Sequence, residues 1–304
     1  MELISKYDGA VFYVDILGMK ALTNNKIDLA DEDYSHWLDQ YRLEHTNQYL
    51  AASILAEFRK ILINLDNDFE DVTISQLSDC AFVWSKNITN IVLFASKFMT
   101  TAITSGILCR GGLTYGEIIE TNQNHKLGRF IVGKAVTDAA KLEGVAKGAR
   151  VLIDIDFPHN LWQYDKKFAE KVIPLFAPFT NPLDYTDYDE FKWYLCPDLS
   201  IAVSNLSILK DEEKLNLTKK RLKIANKVRC SPKFNWNGKS NEGLVQLKAT
   251  INFIAADSLL NVSHNFGWND VVPKRADATV IKINKLIDED EDYKFLQEPQ
   301  QLTE

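Results

Sequence analysis

Apolar and polar positions along the chain change in blocks whose spacing predicts an α+β fold. Ala10-Val11-Phe12-Tyr13-Val14-Asp15-Ile16 is β-branched and aromatic and too short for a helix, so it reads as a buried central strand turned by Leu17-Gly18-Met19. A polar, acidic insertion over residues 24–44 follows. Ile54, Phe58, Ile61, Leu62 and Leu65 then recur at helical spacing and predict an amphipathic helix packed on a sheet. Residues 72–77 and 80–84 are short strand-like runs around Ser78-Asp79, the pattern of a hairpin. Ile88, Ile91, Val92, Ala95, Phe98, Met99 and Ala102 fall at helical intervals, and residues 108–120 alternate like a strand with a glycine-rich centre. Gly133 opens a helix reaching about residue 145, and residues 149–155 are a further strand. This order is α+β rather than a regular βαβ alternation.

Beyond about residue 200 the pattern changes. Residues 211–229 and 242–260 read as helices, residues 231–240 as a polar link between them, and residues 288–292 as an acidic tail. The expected organisation is a sheet domain over 7–199 and a mostly helical extension over 200–304.

Composition narrows the chemistry. With 304 residues, 46% of them hydrophobic and 25% charged, the chain is long enough to bury a sizeable core. A net charge of -7 and a pI near 5.4 give no general attraction to nucleic acid or to an anionic membrane. No segment reaches the roughly 18 apolar residues of a membrane span, so a cytoplasmic protein is expected. Cys80, Cys109, Cys196 and Cys230 lack zinc or redox spacing, and the five histidines are scattered.

Two acidic residues stand out against this background. Asp15 closes the apolar run that begins at Ala10, where an ionised carboxylate is costly unless it is paired, hydrogen-bonded or bound to a metal. Asp79 interrupts the hairpin. Two carboxylates on neighbouring strand ends beside a glycine turn suit Mg2+ or Mn2+ carrying a nucleoside triphosphate.

Val11-Phe12-Tyr13-Val14-Asp15-Ile16-Leu17-Gly18-Met19, Leu77-Ser78-Asp79-Cys80-Ala81-Phe82, Cys109-Arg110-Gly111-Gly112 and the helix segment from Gly133 to Glu143 resemble, in that order, the motifs of class III nucleotidyl cyclases. Within them the chain looks most like the bacterial pyrimidine cyclases of the Pycsar anti-phage systems. The resemblance covers about residues 7–156, with residues 191–195 as a final core strand. It implies a ferredoxin-like sheet with flanking helices, and a homodimer whose composite active sites lie at the protomer interface. It also implies two Mn2+ or Mg2+ ions on Asp15, Asp79 and the Ile16 carbonyl, with Phe12, Ile16, Leu17, Gly18 and Met19 around the nucleotide and the amides of residues 17–20 cradling phosphate.

Arg110, Thr137 and Lys141 are the further catalytic candidates, with Arg129 and Lys134 as other sources of positive charge. Purine cyclases carry an asparagine and an arginine four residues apart where this chain has Thr137 and Lys141. The base-reading lysine and aspartate of adenylyl cyclases correspond here to Ser75 and Phe130. A serine and an aromatic ring suit a smaller pyrimidine, UTP or CTP, better than a purine read through two charged groups. The implied activity is conversion of that triphosphate to a 3′,5′-cyclic monophosphate that acts on a separate effector protein. A purine cyclase with an atypical pocket, or a non-catalytic cyclase-like domain that binds nucleotide or a partner, are the alternatives.

Overall fold

A computed structural model of the protein describes residues 4–121, 129–181, 184–195 and 211–255. The chain begins with strand β1 (Ile4–Ile16), which is followed by α1 (Met19–Thr23), α2 (Asp31–Leu38) and the long helix α3 (Asn47–Asp66). Strands β2 (Thr73–Leu77) and β3 (Cys80–Ser85) form the hairpin, and α4 (Ile88–Ser105) leads back to β4 (Cys109–Thr121). Then come β5 (Ile131–Val132), α5 (Lys134–Glu143), β6 (Val151–Ile153), α6 (Phe157–Tyr164), α7 (Lys166–Val172), β7 (Phe176–Thr180) and β8 (Asp187–Phe191). Helices α8 (Asp211–Cys230) and α9 (Asn241–Ala255) flank a 3-10 segment at Pro232–Lys239.

The sheet runs β2-β3-β1-β4-β6-β8-β7, with β5 paired to β4. Strands β2, β3, β1 and β4 are mutually antiparallel neighbours. With α3 and α4 as their crossovers they make the ferredoxin-like α+β core that the block pattern predicts. β6 extends it in parallel with β4.

Period-two alternation divides β1 between two faces. Ala10, Phe12, Val14 and Ile16 point into the main core, which α3 and α4 cover. Thr46 caps α3 by accepting the Tyr49 N–H at 3.2 Å, and Asn87 caps α4 by accepting the Asn90 N–H at 3.2 Å. Phe12, Phe58 and Phe94 surround Phe98, two of them edge-on, and each is fully buried. Burial of one such ring contributes on the order of 2–3 kcal/mol. On the opposite face Val11, Trp84 and Ile118 pack under Ala135, Val136 and Ala139 of α5.

Three expectations change. The acidic insertion holds α2, whose first turn carries Asp31, Glu32 and Asp33 at the positive end of the helix and whose Trp37 and Leu38 are buried. Residues 191–195 are not a strand: β8 ends at Phe191, and the backbone turns back through Leu195 N–H on the Lys192 carbonyl at 3.0 Å. The polar link is a packed 3-10 segment in which Phe234, Trp236 and Asn237 are each 1% exposed. It fills a notch beside α2 and the end of α4, where the Trp37 indole donates to the Lys233 carbonyl at 3.0 Å and the Lys233 ammonium to the Ser105 carbonyl at 3.1 Å.

Leu217, Val228, Phe234, Trp236, Leu247 and Ile254 belong to the same buried cluster as Phe12 and Phe98. Residues 211–255 therefore complete the core of the sheet domain. The boundary expected at 199/200 and the acidic tail lie outside the described residues.

Candidate active site

Strand pairing places Asp15 in a row. Leu77, Cys80, Asp15 and Arg110 stand opposite one another across β2, β3, β1 and β4, on the face that α5 covers. The row behind it contains Ser75, Phe82, Tyr13 and Gly112, with the Tyr13 and Phe82 rings 4.7 Å apart. Asp79 occupies the hairpin turn, reached through a left-handed Ser78 at φ 57°. The Ile16 N–H donates to the Asp79 carbonyl at 3.0 Å, so the turn is fastened to the end of β1 immediately after Asp15.

The Asp15 carboxyl is half-buried, and its pKa is pushed up to about 7. Burial is the leading cause, followed by the nearby Glu143 and Asp79 carboxylates, while the Arg110 guanidinium pulls the other way. Arg110 is already committed. Its Nε donates to Glu143 Oε1 at 2.7 Å, a second guanidinium nitrogen reaches the same oxygen, and the third donates to the Ala146 carbonyl at 2.7 Å. The positive charge that sequence assigned to substrate thus holds Glu143 against the edge of the site.

Helix α5 sits close to the sheet because Gly112 has no side chain; a Cβ there would strike the Ala139 carbonyl oxygen. Thr137 and Lys141 lie on its solvent side. The Thr137 hydroxyl donates to the Gly133 carbonyl at 3.2 Å, and Lys141 pairs with Asp138 at 3.3 Å. Asp138 also pairs with Lys134 at 2.7 Å, and both lysines hold its carboxyl below the usual range. Lys134, Asp138 and Lys141 border a cleft of about 330 Å³ with Asp154, Asp187 and Tyr188 on its other wall.

Several candidates fall elsewhere. Phe12 is fully buried on the α3 and α4 face and belongs to the core, because it is an odd number of residues from Asp15 along the strand. The side chains of Ile16, Leu17 and Met19 are buried as well, leaving only their backbone to face a ligand. The Leu17 amide is not open to phosphate: it donates to the Leu108 carbonyl at 2.8 Å. Phe130 is 52% exposed and its carbonyl accepts from Thr121, which stands opposite Ile4 on β1. Ser75 shares the row of Tyr13, so these two base-reading candidates are not brought together within one chain. Arg129 pairs with Glu120 at 3.6 Å, also toward the far end of β1.

Asp15 and Asp79 offer hard oxygen donors. Among the described residues no three His, Cys, Asp or Glu side chains group closely enough to hold a metal ion. A pair of carboxylates nevertheless fits Mg2+ or Mn2+, which keeps several waters and takes its remaining oxygens from backbone and phosphate. The crowded carboxyl of Asp15 is the observation that favours a cation there.

Sequence reasoning passed over Tyr13, Cys80 and Glu143 as site residues. Tyr13 could have been found from its i, i+2 relation to Asp15, and Cys80 from the hairpin register. Glu143, which the sequence offers only as the end of the motif helix, enters the site through the fold.

No family model matches the chain, and no curated protein matches it. Solved structures do. The chain is similar to the guanylyl cyclase domain of the RhoGC fusion protein from Blastocladiella emersonii, at 15% identity over 63% of this chain and 97% of that one, with a TM-score of 0.41. It is likewise similar to the adenylyl cyclase CyaB from P. aeruginosa, at 15% identity over 63% and 95% with a TM-score of 0.40. A third likeness is to the Trypanosoma brucei adenylate cyclases in their monomeric state, at 11% identity over 61% and 90% with a TM-score of 0.43. Likeness at this level carries no argument about activity, which rests on the chain's own residues. No helix among the described residues is long and apolar enough to cross a membrane.

Proposed function

We propose that the protein is a nucleotidyl cyclase that converts a pyrimidine nucleoside triphosphate, UTP before CTP, to its 3′,5′-cyclic monophosphate and pyrophosphate. The observation that carries this reading is the half-buried Asp15 carboxyl beside the Asp79 turn, crowded by acid and only partly relieved by Arg110. A purely structural aspartate in that position would be expected to have its own cation or a full set of donors.

In the reaction the ribose 3′-oxygen attacks the α-phosphorus, the bond to the pyrophosphate oxygen breaks, and the hydroxyl proton leaves to solvent. Mg2+ or Mn2+ held by Asp15, Asp79 and the Ile16 carbonyl would supply Lewis-acid activation of that hydroxyl and neutralise the triphosphate. The chain's own residues do the rest. Asp15 and Asp79 fix where the triphosphate sits, and Arg110 keeps Glu143 from repelling it. Thr137 and Lys141, on the open side of α5, are available to the site of a second protomer, consistent with a homodimer whose sites are composite. Ser75, Tyr13 and Phe82 offer a hydroxyl and aromatic faces but no ionised group, which suits a pyrimidine ring. The cyclic product would act as a messenger on a separate effector protein in anti-phage defence, the setting of the pyrimidine cyclases that the sequence resembles.

The test offers ATP, GTP, CTP and UTP singly with Mn2+ or Mg2+ and identifies the product by mass. A cyclic pyrimidine monophosphate is expected. Turnover of purines alone would overturn the base assignment, and none with any of the four would overturn the cyclase reading.

A further inference from the structure

The turn after Asp15 is closed from a distant part of the chain. Gly18 adopts φ 94°, and the space where its side chain would be is filled by Trp236, whose ring comes within 3.1 Å of an ideal Cβ position. The neighbouring Asn237, 1% exposed, donates its amide to the Leu17 carbonyl at 3.3 Å. That carbonyl lies two residues beyond Asp15, one beyond the Ile16 carbonyl and next to the N–H that ties the turn to Leu108. The 3-10 segment bearing Trp236 and Asn237 is itself fastened at one end by Lys233 on Ser105 and at the other by Lys239 on Asp33 at 2.9 Å.

The same part of the chain holds the opposite flank of the site. The Gly148 N–H donates to Gln246 Oε1 at 2.6 Å and the Ala149 N–H to Thr250 Oγ1 at 2.9 Å, all four groups being buried. These amides lie two and three residues beyond Ala146, whose carbonyl anchors Arg110. One loop follows Asp15 directly and the other anchors Arg110, its partner across β4, and each is held by buried polar side chains from residues 232–255. A buried amide serving only to fill space would be replaced more cheaply by an apolar side chain.

We propose that residues 232–255 are a clamp that sets the geometry of the active centre, with Asn237 the positioning residue for the Ile16-Leu17-Gly18 turn. The proposal rests on reading Asp15 as the centre of the site. Asn237 touches no substrate; it acts by holding the backbone from which Ile16 offers its carbonyl. The C-terminal helices are then part of the catalytic machinery rather than an appendage.

The experiment compares wild type with Asn237→Asp, which keeps the shape but puts an oxygen against the Leu17 carbonyl, and with Lys239→Ala, which releases the far end of the segment from the buried Asp33 and leaves the Asn237 contact in place. Amide hydrogen exchange of residues 17–20 is followed in the nucleotide-free protein, and the Mn2+ concentration for half-maximal turnover is measured beside kcat. Asn237→Asp should speed exchange at the turn while leaving β1 and β3 protected, and should raise the half-saturating Mn2+ by roughly tenfold or more, as loss of an orienting hydrogen bond does. Lys239→Ala should shift both in the same direction by less. If Asn237→Asp unfolds the protein, the Lys239→Ala exchange and Mn2+ shifts decide alone. Unchanged exchange and unchanged Mn2+ dependence in the folded variants overturn the clamp. Wild type with no turnover overturns the cyclase reading instead, and the exchange arm still reports on the clamp.

Discussion

The two faces of the central sheet are built in opposite ways from the same strand. Toward α3 and α4, β1 contributes Ala10, Phe12, Val14 and Ile16, none more than 2% exposed, against a shell of phenylalanine rings. Toward α5 it contributes Val11, Tyr13 and Asp15, grading from fully buried to half-open, beneath a helix of only ten residues. One face is dry throughout, and the other grades into a carboxylate that is neither solvated nor fully paired. Alternation along one strand thus lets stability and chemistry occupy successive residues, the first offsetting the electrostatic cost of the second.

Mutations on each face break this contrast in different ways. The largest effect on chemistry belongs to Asp79→Ala, which should reduce turnover to background while the circular dichroism and melting temperature stay near wild type; a fully active variant rejects the assignment. On the dry face, Phe98→Ala should cost about 3–5 kcal/mol by denaturant unfolding, with turnover per folded molecule retained. Gly112→Ala, on the other face, must push α5 outward, and should cost about 1–3 kcal/mol but lose turnover out of proportion. If the two variants showed the same ratio of activity loss to stability loss, the division of labour would be wrong.

Asp15→Asn sharpens the comparison through pH. With a native pKa of about 7 against roughly 4 in the unfolded chain, the native state holds a proton between those values that the unfolded state has released. Stability of the metal-free protein therefore falls as pH rises through that window. The asparagine variant lacks this slope. At pH 8 it should be more stable than wild type by about 1–2 kcal/mol, discounted for partial solvation, with no gain at pH 4; equal melting at pH 8 would contradict the crowding at Asp15. The smallest effect is Lys141→Ala, whose exposed pairing with Asp138 should change stability by no more than about 0.5 kcal/mol. A loss of turnover there would report on the reaction alone.

The sheet core was legible because its strands are apolar on a period of two and its helices on a period of 3.6. The first half of β1 was not. Ile4 to Gly9 pair only with β4, beyond the reach of β3, so Ser5, Lys6 and Asp8 are tolerated at an open end of the ladder and the unbroken apolar run starts only at Ala10. Asp15 and Asp79 were legible because a carboxylate in an apolar run is conspicuous. Phe12 misled because a motif lists neighbours in sequence, whereas the pleat sends them to opposite faces. The commitment of Arg110 to Glu143, and the burial of Trp236 and Asn237 inside an apparently polar link, depend on long-range packing that local pattern does not record.

The bond between Asn237 and Leu17 joins residues 220 positions apart. A chain emerging from the ribosome carries both aspartates well before Asn237, which supports the turn, has been made. Closing so wide a loop comes late in folding. Prematurely terminated chains would carry both aspartates and still lack the finished turn, so the geometry around Asp15 depends on the polypeptide being completed through residue 237.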